Sequence, residues 1–122
     1  MSYQLKIDEQ PTYLHAEASG QHSPENALRF LTEAWDACVA RGQFALLLEM
    51  NLVGPSLDPT SIFGVIVQRS AEATRLKKIA YVDRSPRDPA RMKFAETVAL
   101  NRGVNVRLFQ DLDEAKCWME SP

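Results

Sequence analysis

The chain has 122 residues, of which 45% are hydrophobic and 25% charged, and its formal net charge is −2 at pH 7. This length favours one domain, 1–122, that buries its core without metals or disulfides. The mixed charges provide no basic patch for nucleic acid or for a membrane surface. The longest apolar run, 44–48, is too short to span a bilayer, and residues 1–20 do not resemble a signal peptide. We therefore expect a cytoplasmic protein without a transmembrane segment.

The first forty residues predict a hairpin and a helix. Strands 3–8 and 12–19 form an antiparallel hairpin at an edge of the sheet, with one packed face and one polar face. Ser23-Pro24-Glu25 begins a helix with a cap, a first-turn proline and an acid near the positive end of the dipole. Arg41-Gly42 ends that helix. Its apolar residues recur at helical spacing: Ala27, Leu28, Leu31, Ala34, Trp35 and Cys38.

Three strand–helix units complete the chain. Strand 44–50 precedes helix 59–74, strand 78–83 precedes helix 89–102, and strand 104–109 precedes a helix beginning at Asp111. Strands joined through helices run parallel, with right-handed crossovers. The order ββαβαβαβα predicts an α/β fold: a mostly parallel five-stranded sheet with an antiparallel N-terminal strand, and four helices. We expect the core of its central parallel strands to contain Leu46, Leu48, Ile79, Tyr81, Val106 and Leu108.

Residues 46–67, LLLEMNLVGPSLDPTSIFGVIV, contain the candidate functional surface. They predict a buried strand, a Gly-Pro loop and a helix that begins after a cap and a first-turn proline. Loops at the carboxyl ends of parallel strands are the usual binding places in α/β sheets. We therefore expect residues 51–61 to bind a partner or a ligand, with a loop shaped by Asn51, Gly54, Pro55, Asp58 and Pro59.

This segment, with KKIAYVDR (77–84) and VNVRLFQDLDEAKCWM (104–119), resembles the STAS superfamily, especially its stand-alone SpoIIAA-like branch of anti-sigma-factor-antagonist-like domains. The resemblance covers essentially the whole chain, and the ending is its more specific part. It implies a β-α fold of SpoIIAA type that acts as a protein-interaction or small-ligand module rather than as an enzyme, without a cofactor. The branch also resembles the lipid-exchange (CRAL-TRIO, Sec14-like) fold.

The resemblance further implies a phosphorylation switch at the start of the second helix. Matching the Gly-Val-Ile of that helix places the family's phosphorylated serine on Ser61, with Thr60 as its neighbour. Helix N–H groups and the dipole could accommodate a phosphate there. Ile62 stands where the family has a glycine, and Pro59 separates Asp58 from Thr60. The alternative interpretation is that the polar residues only cap the first turn.

Five charged residues near predicted strand ends have two interpretations each. Glu49 and Asp83 could form an acid/base pair, but no nucleophile, histidine or metal-ligand spacing accompanies them, so solvated acids or arginine partners are the favoured interpretation. Arg84, Arg87 and Arg91 cluster at the start of the third helix and could bind an anionic group. Alternatively they form an exposed loop paired with neighbouring aspartates.

The remaining candidates favour structural roles. His15 is expected on the surface of an edge strand and His22 in a loop, and neither has a metal-binding companion, so no metal site is predicted. Trp35 and Trp118 lie on apolar helix faces and are interpreted as core or interface residues. Cys38 and Cys117 have no CxxC spacing and are expected to be buried or half-buried free thiols.

Two functions follow. The first is a regulatory module that docks a protein partner through 51–61 and the second helix. The second is a carrier of a lipid-like or anionic small molecule, bound in the crevice at the strand carboxyl ends. A symmetric homodimer is also expected, because the strands are apolar on both faces and the hairpin leaves an edge to protect. It would bury the surface around Tyr13, His15 or neighbouring helices.

Overall fold

The computed structural model describes residues 3–55, 57–83 and 88–121. The elements follow the order that the sequence predicts, ββαβαβαβα. They are β1 Tyr3–Glu9, β2 Leu14–Gln21, α1 Pro24–Arg41, β3 Ala45–Val53, α2 Pro59–Ala73, β4 Lys78–Asp83, α3 Pro89–Asn101, β5 Val106–Phe109 and α4 Leu112–Glu120. No helix in these residues is long and apolar enough to cross a membrane.

The five strands form one sheet in the order β1-β2-β3-β4-β5. β1 pairs with β2 antiparallel, and every other neighbouring pair is parallel. Right-handed crossovers between successive parallel neighbours put their connecting helices on one face of the sheet. Accordingly α1, α2 and α3 contribute to the apolar cluster on one face, whereas α4 covers the other. The predicted α/β architecture is confirmed.

The helices begin at the caps that the sequence indicates. Ser23 Oγ accepts a hydrogen bond from the Asn26 N–H at 3.1 Å, and Asp88 Oδ1 accepts one from the Ala90 N–H at 2.9 Å. Asp111 caps α4 in the same way. These side chains satisfy N–H groups that the first turn of a helix leaves without backbone partners. The start of each helix is therefore fixed locally.

The predicted core residues all lie in parallel strands. Leu46, Leu48 and Ile79 are buried on the side of α1, α2 and α3, and Tyr81 packs there half-buried. Val106 and Leu108 lie in β5, which is an edge strand rather than a central one. Their side chains are therefore only partly buried. The opposite face has its own buried cluster, in which Leu47 packs with residues of β4 and α4.

The antiparallel hairpin lies at an edge of the sheet as predicted, but the expectation that His15 lies on the surface of an edge strand is wrong. β2 is not an edge strand, because it pairs in parallel with β3 along its whole length, and β1 alone forms that edge. His15 is therefore not an exposed edge residue, and its ring hydrogen-bonds Glu49. Tyr13 is buried beneath α4 and is not free to form a dimer surface. The parallel β2–β3 pairing agrees with the predicted sheet, but the sequence did not reveal that it brings His15 against Glu49, a residue 34 positions away.

The two cysteines differ in burial. Cys38 is buried in α1, and its burial raises the pKa of the thiol to about 11. Cys117, in contrast, is exposed on α4, so the expectation that both thiols are covered is wrong for this residue. The last helix covers the sheet through Ala115 and Met119, and Cys117 lies between them on a different side of the helix.

Candidate functional site

The connection between β3 and α2 is held by His22. The His22 N–H donates to the Val53 carbonyl at 2.8 Å, and its ring Nδ1 donates to the Pro55 carbonyl at 3.1 Å. Between these two carbonyls, Gly54 has a φ of 115°. This φ strains any residue that has a Cβ, and a Cβ at this position would also lie 3.2 Å from the side-chain Nε2 of Gln21. The loop therefore requires glycine here.

The loop is shorter than the sequence predicts, since β3 continues to Val53. Asn51 is a strand residue, and its side-chain amide donates to Glu17 Oε2 at 2.5 Å across to β2. Ser56 lies outside the described residues. The predicted surface 51–61 thus consists of the last residues of β3, a short connection, and the first turn of α2.

The first turn of α2 is capped by Asp58. Its Oδ1 accepts the Ser61 N–H at 2.7 Å, and Pro59 follows at the first helical position. That hydrogen bond is the main cause that lowers the pKa of the Asp58 carboxyl below its ordinary value. Thr60 is exposed and Ser61 half-buried. Phosphate on Ser61 would lie beside the ionised Asp58 and would compete with it for the helix N–H groups.

Arg91 joins α3 to the same connection. Its Nη1 donates to the Leu57 carbonyl at 3.3 Å, and its Nε lies 3.6 Å from Asp88 Oδ2. This pairing agrees with the alternative interpretation of Arg91, in which it pairs with a neighbouring aspartate. Arg84 and Arg87 lie outside the described residues, so the cluster of three remains a prediction.

An apolar cavity of about 160 Å³ lies beneath α2, between the sheet and the helices α1 and α3. Its sheet side is formed by Leu48, Ile79, Tyr81, Val106 and Leu108. Small side chains on the helices explain the empty space: Ala27, Ala73, Ala95 and Ala99 all line it. A volume of this size is comparable to cavities that hold a benzene-sized molecule.

Two hydrogen bonds, one just before α2 and one within it, hold this helix over the cavity. At its start, Leu57 is bonded to Arg91 as described, and further along Arg69 Nε donates to the Leu28 carbonyl of α1 at 3.2 Å. α2 packs chiefly on α1 and α3 rather than on the sheet. α2 therefore covers the cavity, which lies between this helix and the strands.

Trp35 of α1 lines this cavity, and its fully buried indole N–H has no acceptor in the described part of the chain. The residue is only 7% exposed, and its indole N–H finds no hydrogen-bond partner among residues 3–55, 57–83 and 88–121. Buried donors are normally satisfied, and an unsatisfied one costs roughly 1–3 kcal/mol. Interpreting Trp35 as an ordinary core residue accounts for its burial but not for this donor.

The opposite face of the sheet brings His15 and Glu49 together. His15 Nε2 lies 2.8 Å from Glu49 Oε1, and Glu49 is only 4% exposed. Glu49 pairs in register with Val82, and Met50 with Asp83, so the two acids point to opposite faces of the sheet. They do not form an acid/base pair. In the described part of the chain, no three histidine, cysteine or acidic side chains are grouped to hold a metal ion.

Sequence reasoning missed the cavity, the unsatisfied donor of Trp35 and the anchoring role of His22. A cavity depends on how three helices pack, which no local pattern encodes. The only available signal was the repeated alanine on inward-facing helix positions, as at Ala95 and Ala99.

The solved structures that are similar to this chain include the following two. An anti-sigma factor antagonist from Mycobacterium paratuberculosis matches with a TM-score of 0.65 and 19% identity, over 98% of this chain and 96% of that one. An uncharacterized DUF3478-family protein from Shewanella loihica PV-4 matches with a TM-score of 0.59 and 15% identity, over 96% and 93%. The second is described as having a SpoIIAA-like fold, and the chain shares that fold. No family model and no curated protein matches the sequence.

Proposed function

We propose that this protein is a non-enzymatic regulatory module that docks a protein partner through residues 51–61 and the outer side of α2. The observation that carries the proposal is the pair of large apolar side chains flanking the β3–α2 connection. Val53 is 68% exposed and Phe63 46% exposed. Exposed apolar side chains are common at protein interaction sites, and these two lie on either side of the connection along the chain.

Several contacts also restrain the described residues of the connection. The two hydrogen bonds from His22, the backbone requirement at Gly54 and the Asp58 cap all restrict its conformation. A surface that is ordered before binding loses less conformational entropy on association. The similar mycobacterial fold is that of an anti-sigma factor antagonist, which supports a protein as the partner.

Ser61 is the proposed regulatory position on this surface, with Thr60 as the alternative acceptor. A phosphate on Ser61 would add negative charge next to Asp58 and displace its cap, which would change the docking surface locally. Phosphate on the exposed Thr60 would leave the Ser61 N–H bonded to Asp58.

The test compares wild type with Asp58→Lys and Ser61→Glu in a pull-down or titration with a captured partner. Lysine removes the cap and opposes the helix dipole, so both stability and binding should fall. Glutamate adds charge where the dipole tolerates it, so binding should fall while the thermal midpoint changes little. Equal binding of one partner by all three proteins would show that the loop is only a connector.

The cavity supports a second candidate function, a carrier of small molecules. Its lining is apolar, and Arg91 lies at the end nearest the strand carboxyl termini. Native mass spectrometry of the purified protein should then detect a small non-covalent adduct. A protein with no adduct, even after incubation with small apolar compounds, would contradict the carrier function.

The homodimer remains a prediction. Both sheet edges already have some protection within one chain, because β1 exposes Lys6, Asp8 and Glu9, and β5 has only four residues. Sedimentation at micromolar to millimolar concentration would decide the question, and a monomer throughout would reject a dimer.

A further inference from the structure

We infer that the cavity beneath α2 is an effector site: a small, uncharged and wholly apolar molecule fills it and holds α2 in the position that presents the docking surface. This regulation rests on the proposed docking function and adds a ligand that controls it. Two observations carry it. Apolar side chains around the cavity are only partly buried, and residues of the docking segment form part of the cavity wall.

The inner side of α2 borders the cavity along its whole length. The residues of α2 that line the cavity have the spacing of one helix face: Ile62, Val65, Ile66, Arg69, Ser70 and Ala73. Within α2, all of which is described, only Val65 and Ala73 are buried. The helix packs chiefly on α1 and α3, at its sides. Its inner apolar residues are therefore only partly covered by protein.

The other walls of the cavity are also incompletely covered. Their half-buried apolar residues are Leu57, Tyr81, Met92, Val106 and Leu108. Removing apolar surface from water is favourable by about 25 cal/mol for each Å². An apolar molecule in the cavity would cover side chains of α2, α3 and the sheet at the same time. The lining therefore favours an apolar occupant.

The polar groups in the lining are already engaged with the protein. The guanidinium groups of Arg69 and Arg91 donate to backbone carbonyls, and the Ser70 hydroxyl donates to the Val67 carbonyl. The Glu96 carboxylate accepts hydrogen bonds from Lys93 and from a backbone N–H of β5. A charged occupant would lose its hydration without gaining a partner, which is costly. An apolar cavity of about 150 Å³ accepts benzene, so a single uncharged ring suits the present volume of about 160 Å³.

The docking segment shares the wall of this cavity. Leu57 and Ile62, at either side of the cap of α2, both line it. Arg91 and His22 line it as well, and they hydrogen-bond the carbonyls of Leu57 and Pro55. The residues that fix the β3–α2 connection thus also form one end of the cavity.

This shared wall couples the cavity to the docking surface. Phe63, the exposed aromatic residue of that surface, directly follows the cavity-lining Ile62. A movement of α2 into the cavity would displace both residues, whereas an occupant would prevent that movement. A ligand that binds only one position of a helix shifts the population toward that position. Filling the cavity should therefore stabilise the conformation that docks the partner.

Amide hydrogen exchange followed by NMR, with benzene as the probe, tests this coupling without a partner. The Ile62 N–H donates to the carbonyl of the Asp58 cap at 3.0 Å. The matched control is the Ala115 N–H, which donates to the carbonyl of the Asp111 cap at 3.2 Å in α4, on the opposite face of the sheet. With free benzene at about nine times its Kd, openings that release the ligand become about tenfold rarer. Exchange at Ile62 should slow by about that factor, and exchange at Ala115 should change little.

A substitution that fills the cavity provides a second test. Ala99 lines the cavity, so Ala99→Leu should weaken benzene binding at least about tenfold, because its three added carbons take up part of the space. Without benzene, this variant should itself slow exchange at Ile62. Ala71→Leu adds the same atoms at an exposed position of α2 and should leave benzene binding unchanged. The benzene result in wild type stands even if Ala99→Leu does not fold.

Two results would overturn the effector role. Benzene that binds without slowing exchange at Ile62, or that slows Ile62 and Ala115 equally, would reject the coupling. Failure of benzene to bind at millimolar concentration would reject the cavity as the effector site. The docking function fails by a different result, equal binding of a partner by wild type, Asp58→Lys and Ser61→Glu, so the two failures are distinguishable.

Discussion

Truncation of Leu48 to alanine probes both the strand placement and the cavity. Leu48 is buried in β3 and borders the empty space, whereas its neighbour Leu47 is equally buried on the opposite face, under α4. Either change removes three carbon atoms, which at about 0.8 kcal/mol each gives roughly 2.4 kcal/mol for lost burial. A further term for the new void raises buried Leu→Ala costs to about 5 kcal/mol where the surroundings cannot relax.

The two substitutions should differ in the cost of the void that each one creates. Leu48 already adjoins a void and has fewer neighbouring atoms to lose, so Leu48→Ala should cost about 2–3 kcal/mol, near the lower end of the range. Leu47→Ala should cost about 4–5 kcal/mol, since it opens a void in a packed cluster. Urea denaturation with unchanged m-values measures both. A cost below about 0.5 kcal/mol for Leu48→Ala would reject its burial in the sheet, and a cost above that of Leu47→Ala would contradict the cavity.

Further predictions concern the cavity, the thiols and acid stability. Ala99→Leu adds three carbons next to the cavity and should stabilise the fold by up to about 2 kcal/mol, whereas destabilisation would mean that no usable space exists. Iodoacetamide should modify the exposed Cys117 of the folded protein and spare the buried Cys38 until unfolding; equal rates would contradict their different burial. The pKa of Glu96 is lowered in the folded state, chiefly by the hydrogen bond from Lys93 and also by the one from the Leu108 N–H. Ionised Glu96 therefore stabilises the folded state at any pH above the pKa of a glutamate in the unfolded chain, which is about 4.3. That contribution is lost as the pH falls through the folded pKa, so Glu96→Gln should unfold less steeply with acid than wild type, and identical profiles would refute this.

The elements were predictable because their signals are local. The caps at Ser23, Asp58 and Asp88 mark helix starts through hydrogen bonds made within three residues. Contacts between side chains on neighbouring strands are not local, so the hydrogen bond of His15 to Glu49 could not be predicted from the hairpin. β3 also extends past Asn51, where pairing with β2 and the bond to Glu17 outweigh the turn tendency of asparagine.

The candidate site was predictable only in part. The Gly-Pro sequence and the helix cap correctly indicated the turn after β3, because both reflect backbone requirements of that turn. The role of His22 was not visible, since it acts on a segment thirty residues away. Trp35 was placed on the right face of α1, but its unsatisfied N–H depends on what the neighbouring helices leave unfilled.

The most direct measurement of the docking proposal is affinity capture with Phe63→Ser and Phe44→Ser, followed by titration of the captured protein. Phe44 is 55% exposed, similar to Phe63, but it precedes β3 at the opposite end of the strand from the proposed surface. Both substitutions remove an exposed aromatic ring, so general effects on solubility are matched. We expect Phe63→Ser to lose the partner and Phe44→Ser to bind it like wild type. Equal affinity of a partner for all three proteins would contradict docking through this surface.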